Sequence, residues 1–153
     1  MSSSKESLAQ LLATLPYSSP FLFVDEILEV DENKIRGKYL YRKDEYFYQG
    51  HFRDRPVTPG VILTETMAQI GLVALGIYLA NQSGNPSPPP FAFTSADVNF
   101  SKMVLPGEEV TVEGEKIYFR LGKIKVNTVM YNKAGEKVCS GVLSGMILKR
   151  KTT

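Results

Sequence analysis

The sequence predicts an α+β protein in which an antiparallel sheet curls around one long buried helix. Three observations carry that expectation. Residues 61–80, VILTETMAQIGLVALGIYLA, are too many for one strand, lack strict alternation and are apolar on nearly every side. Strand-like segments flank this run, two before it and four after it. With 153 residues, 43% hydrophobic and 22% charged, the composition suits a single domain, 1–153, around one core. A curled sheet is the arrangement that hides a helix with no polar face.

The elements follow in order. In MSSSKESLAQLLATLPY, Leu8, Leu11, Leu12 and Leu15 share a helical face, Ser7 offers a cap and Pro16 an end. Residues 21–30, FLFVDEILEV, and 34–42, KIRGKYLYR, read as strands joined by the turn Asp31-Glu32-Asn33. A loop over residues 43–60 leads into the long helix, with Thr58 as cap and Pro59 in its first turn, where a missing N–H costs nothing. Gly71 and Gly76 weaken a helix, so they mark close approach by neighbouring backbone. NQSGNPSPPP, residues 81–90, reads as an extended, polyproline-like crossing loop. Four strands follow: FAFTSADVNF, EEVTVEGEKIYF, KIKVNTVMYN and EKVCSGVLSGMIL. In the third, Ile124, Val126, Thr128 and Met130 alternate with Lys125, Asn127, Val129 and Tyr131. Pro106-Gly107, Gly122 and the stretch Asn132–Gly135 supply turns. A curled sheet leaves open edges that joining between chains would protect, so a dimer at least is expected.

Several function classes are set aside. A net charge of +2, with aromatics in strand-like runs rather than among basic clusters, argues against nucleic acid. Lys149-Arg150-Lys151 reads as a solvated tail. One cysteine and one histidine cannot supply a zinc ligand set within a chain, and Cys139, in an alternating apolar segment, reads as a small buried hydrophobe. The long apolar run has the length to span a bilayer. Glu65 and Gln69 would be costly in lipid, however, and no basic residues flank the run closely, so an enclosed helix is expected and no membrane partner. The N-terminus lacks the features of an export signal, and a single thiol fits a reducing compartment, so a cytoplasmic protein is expected.

The chemistry centres on QGHFRDRPVTPGVILTETMAQ, residues 49–69, which holds the single imidazole, His51, and a lone acid, Glu65. Each residue has a plain reading: a loop histidine bonded to backbone, and a helix acid near the positive end of the dipole. Each also has a chemical one. Glu65 shares its helix face with Val61, Ile62, Ala68 and Gln69, so burial should raise its pKa and leave a proton to give. An imidazole accepts a proton near neutral pH. Gly60 stands at the helix start, where free N–H groups favour a developing negative oxygen. Base, acid and anion site are the parts needed to remove a proton beside a carbonyl and expel a β-hydroxyl, with no metal or cofactor.

LPYSSPFLFVDEI, YFYQGHFRDRPVTPGVILTETMAQ and FAFTSADVNFSKMVLPGEEV resemble, in order, the motifs of the 3-hydroxyacyl-[acyl-carrier-protein] dehydratases of the hotdog fold. The likeness runs from about residue 8 to 148, and the GHF–PGV–E–MAQ block is its specific part. It implies dehydration of a (3R)-3-hydroxyacyl thioester to the trans-2-enoyl thioester, in fatty acid or related lipid or polyene synthesis. It places the catalytic histidine on His51 and the acid on Glu65. The backbone N–H that polarises the thioester carbonyl falls on Gly60, with Gly50, Phe52 and Val61 also against substrate. It further implies an acyl carrier protein bearing the substrate on phosphopantetheine. The implied assembly is a homodimer, sometimes a trimer of dimers, in which the histidine of one subunit works with the acid of the other.

The pattern departs from the family in four places. Tyr17-Ser18-Ser19 replaces a His-Arg-Tyr stretch, and Arg53-Asp54-Arg55 follows GHF where a proline and a small or polar loop are usual. Thr58 stands for a methionine and Thr66 for an alanine. These touch the loop and helix start rather than the acid, base or N–H donor, and leave the acyl type open. Arg53 and Arg55 read either as solvated charges or as contacts for a phosphate or acidic carrier. Two rivals remain: a hotdog acyl thioesterase, which does not need the histidine, and a non-catalytic acyl-binding subunit.

Overall fold

A computed structural model describes residues 4–84 and 91–148. Helix α1 spans Lys5–Ala13, and its cap is Ser4 rather than Ser7: Ser4 Oγ accepts from Ser7 N–H at 3.1 Å. The Ser7 hydroxyl donates back to Ser4 O, so the expected cap is the residue being capped. Strand β1 is Glu26–Val30 and β2 Lys34–Leu40. Asp31 Oδ1 accepts from the N–H groups of Asn33 and Lys34 and closes the turn between them. The first strand is shorter than expected, because the backbone of Phe21 and Phe23 bonds a side chain of the central helix instead of a neighbouring strand.

That central helix, α2, runs Gly60–Gln82, with a wider π-helical stretch over Ala68–Ala74. Strands β3 (Phe91–Phe100), β4 (Glu109–Arg120), β5 (Lys123–Asn132) and β6 (Lys137–Ile147) complete one antiparallel sheet in the order β1-β2-β4-β5-β6-β3. Register shifts between Ile27 and Glu29, Phe93 and Ser95, Lys116 and Tyr118, and Met130 and Tyr131 help the sheet bend. The concave face wraps α2. Ile124, Val126, Thr128 and Met130 all point inward and are buried, as their alternation predicts.

Although α2 is long and apolar enough to cross a membrane, from Thr66 to Ala80 all its residues but Tyr78 are buried in this core. Glycines permit the close fit. A Cβ on Gly71 would lie 2.6 Å from Thr128 Cγ2, and one on Gly76 2.6 Å from the Phe91 ring. On the sheet side, a Cβ on Gly114 would lie 2.7 Å from Gly71 Cα and 3.0 Å from its carbonyl oxygen. Helix and sheet backbones touch there. The expected connector, 81–90, is helical to Gln82, and its residues 85–90 lie outside the described residues, as does the basic run 149–151.

One edge strand, β1, is covered by α1. The other, β3, is ten residues long and mostly exposed. Because the contact at Gly114 is with backbone, it cannot be relieved by a rotamer change. Gly114→Ala is expected to lower stability by about 1–3 kcal/mol in urea unfolding. A loss under about 0.5 kcal/mol would contradict the close approach.

Candidate active site

The sheet leaves one stripe of α2 open near its N-terminus. Gly60, Val61, Thr64 and Glu65 are half-buried or exposed, while Ile62, Leu63, Thr66 and Met67 are buried. Val61, Thr64 and Glu65 are spaced i, i+3, i+4, so they share one face. Thr58 does not cap this helix. Pro59 occupies the cap position with no side-chain bond, and the Thr58 hydroxyl pairs with Tyr48 instead. The N–H of Gly60 has no intrahelical acceptor and lies at the positive end of the helix. The ring of Phe100 on β3 packs against it: a Cβ on Gly60 would be 3.1 Å from Cζ. Glycine is what lets this ring approach.

Glu65 is held by Gln69 one turn on. Gln69 is fully buried, and its amide is oriented from three directions. Its Oε1 accepts from Phe23 N–H at 2.8 Å, while Nε2 donates to Phe21 O at 3.0 Å and to Glu65 Oε2 at 2.9 Å. Burial raises the Glu65 pKa, and the bond from Gln69 partly offsets this. Burial first, and then the Glu65 charge, hold the Tyr17 phenol well above its usual range, which sets this residue of the unusual Tyr17-Ser18-Ser19 stretch near the acid. Sequence reasoning put Gln69 beside Glu65 but missed its role as the clamp. The i, i+4 spacing was the available signal.

His51 follows the 3-10 turn Tyr46–Gln49. Its Nδ1 lies 2.9 Å from Val57 O. A carbonyl only accepts, so Nδ1 carries a proton, and in the neutral ring Nε2 keeps a free lone pair. The ring stacks on Phe52 at 4.0 Å between centroids, across a cis peptide bond. Mutual bonds between Phe52 and Arg55 close the turn that follows. Gly50 has open space where a side chain would be. Arg53 and Arg55 are exposed and, among the described residues, make no ion pair.

Within the chain, no hydrogen bond joins His51 to Glu65. Large apolar side chains around these groups are open to solvent: Phe52, on His51, is 58% exposed, Val61, on the face of Glu65, 77% and Phe100, against Gly60, 51%. Cys139 is buried among the sulfurs of Met67 and Met130, with its thiol pushed up to about 12 by burial, as suits a core residue. Among the described residues no three His, Cys, Asp or Glu side chains gather as a metal site.

The family model for the FabA-like domain matches residues 15–141. The chain belongs to the FabA-like family. Within it, the chain is 39% identical over 136 residues to the 3-hydroxyacyl-[acyl-carrier-protein] dehydratase FabZ of Caldicellulosiruptor saccharolyticus, covering 87% of this chain and 92% of that one. The same fold is seen in the dehydratase heterocomplex ApeI:P from Xenorhabdus doucetiae, with a TM-score of 0.77 at 12% identity over 92% and 91% of the two chains. A hypothetical thioesterase from Streptococcus pneumoniae aligns with a TM-score of 0.57 at 11% identity over 83% and 88%. These structural likenesses establish the hotdog fold.

The raised carboxyl of Glu65 has a consequence for stability. Below the ordinary carboxylate range folded and unfolded chains are both protonated and carry no penalty. The penalty grows as pH rises and is complete above the raised value. Glu65→Gln removes it and keeps an acceptor for Gln69. The variant is expected to melt higher than wild type near pH 8 and level with it near pH 4. A gain largest in acid would contradict burial as the cause.

Proposed function

We propose that this chain dehydrates (3R)-3-hydroxyacyl thioesters, presented on an acyl carrier protein, to trans-2-enoyl thioesters in fatty acid or related lipid or polyene synthesis. The observation that carries the mechanism is the pairing of protonation states. Glu65 is pushed toward its neutral, proton-giving form by burial, and His51 has its proton on the buried nitrogen with Nε2 free to accept.

The steps balance without another reactant. His51 Nε2 takes the proton from C2, and negative charge grows on the thioester oxygen, which the Gly60 N–H stabilises. The C2–C3 double bond forms as the C3–O bond breaks, and the departing oxygen takes the Glu65 proton and leaves as water. Return of a proton from the imidazolium to the Glu65 carboxylate, through water, resets the site. Gly50, Phe52 and Val61 line the acyl path.

His51 and Glu65 of one chain are not bonded, and Phe100 of the exposed strand β3 packs against Gly60 at the start of the open stripe of α2. In this reading two copies pair along β3 in the cytoplasm, so that His51 of one protomer meets Glu65 of the other.

His51→Ala and Glu65→Gln are each expected to lower kcat/KM by about 10²–10⁴-fold, with the fold intact by circular dichroism. Enoyl absorbance is the product to follow. Release of free thiol instead would favour a thioesterase, and near wild-type rates in either variant would remove the mechanism.

A further inference from the structure

The loop that carries His51 is closed at its base by a pair of buried hydroxyls. Tyr48 and Thr58 are 6% and 4% exposed, and their oxygens meet at 2.5 Å. Tyr48 belongs to the turn before His51, and Thr58 directly follows Val57. The backbone of this loop is bonded within itself and to its surroundings. His51 N–H donates to Phe47 O at 3.1 Å, Val57 N–H to His51 O at 2.9 Å, and Thr58 N–H to Val104 O at 2.8 Å. The last member of this ring of contacts is the bond from His51 Nδ1 to Val57 O. The direction of the Val57 carbonyl therefore decides which imidazole nitrogen holds the proton.

We propose that Tyr48 and Thr58 are positioning residues, whose hydroxyl pair fixes the Val57 carbonyl and so holds His51 as the Nδ1–H tautomer with Nε2 free. The inference rests on the reading of His51 as the base. A hydrogen bond between buried hydroxyls constrains both distance and angle, with no water competing for either group. An apolar pair of the same shape fills the space but lets the two segments slide. Burial pushes the Tyr48 phenol up to about 12, so the pair stays neutral wherever the enzyme works. The hydroxyl of Thr58, which the sequence offers as a helix cap, is spent on the loop instead.

Because His51 is the only histidine in the chain, its ring nitrogens can be read without ambiguity by 15N NMR. The resting protein should show one protonated nitrogen, Nδ1. A neutral ring with its proton on Nε2 would overturn the proposal at once. Tyr48→Phe with Thr58→Val removes both hydroxyls at nearly constant shape and leaves neither unpaired. In that variant the two nitrogen signals should move toward the average of exchanging tautomers, and kcat should fall about tenfold with KM within about twofold. Thr58→Ser, which keeps the hydroxyl, should restore both, and its contrast with Thr58→Val decides the matter where the double variant does not fold. Unchanged nitrogen signals with kcat within about twofold would overturn the proposal. Equal losses in Thr58→Ser and Thr58→Val would do so too, by assigning the effect to packing. The nitrogen signals are read without substrate, so they stand apart from the base assignment, which an active His51→Ala would remove.

Discussion

Everything in this molecule follows from enclosing a helix that has no polar side. Helix α2 must be covered over nearly its whole length, and the sheet can come close enough only because Gly71 meets Gly114 with no side chain between them. The wrapping is complete from Thr66 onward, apart from half-exposed Tyr78, to Ala80, and incomplete over the first turn and a half. That gap is where the chemistry lies. Gly60, with its unpaired N–H, and Glu65, with its half-covered carboxyl, occupy the one stripe that the core leaves free.

A carboxyl at the border of a core is held between two opposing influences. Desolvation favours its neutral form, while the donor on Gln69 favours the charged one. The clamp also settles orientation. Phe23 N–H fixes which end of the Gln69 amide faces Glu65, so one carboxylate oxygen is occupied and the other is available. His51 is treated in the same way: one ring nitrogen is committed to backbone and the other left for substrate. In both groups a bond on the buried side defines the reactive side.

Much of this was legible in the sequence, for reasons that are local. The alternation of Ile124, Val126, Thr128 and Met130 gave the inward face of β5, and the apolar run without alternation gave α2. Gly71 and Gly76 announced close packing because glycine has no other advantage inside a helix. What could not be read depends on partners distant in the chain. Phe21 and Phe23 lie in a run with a strand's composition, yet their backbone groups bond Gln69, 46 to 48 residues away. Thr58 has a cap's composition and position, yet a buried phenol claims its hydroxyl. Ser7 lost the cap to Ser4 because two serines in the first turn offer the same chemistry, and only the helix start tells them apart.

The assembly gives the account its sharpest consequence. If His51 of one protomer serves Glu65 of the other, two inactive variants can repair each other. A dimer of one His51→Ala chain and one Glu65→Gln chain contains one site with both groups intact and one with neither. Unfolding and refolding the two variants together in equal amounts should return about a quarter of wild-type activity, since half of the dimers are mixed and each has one working site. Activity no higher than that of either variant alone would place both groups in a single chain and contradict the account.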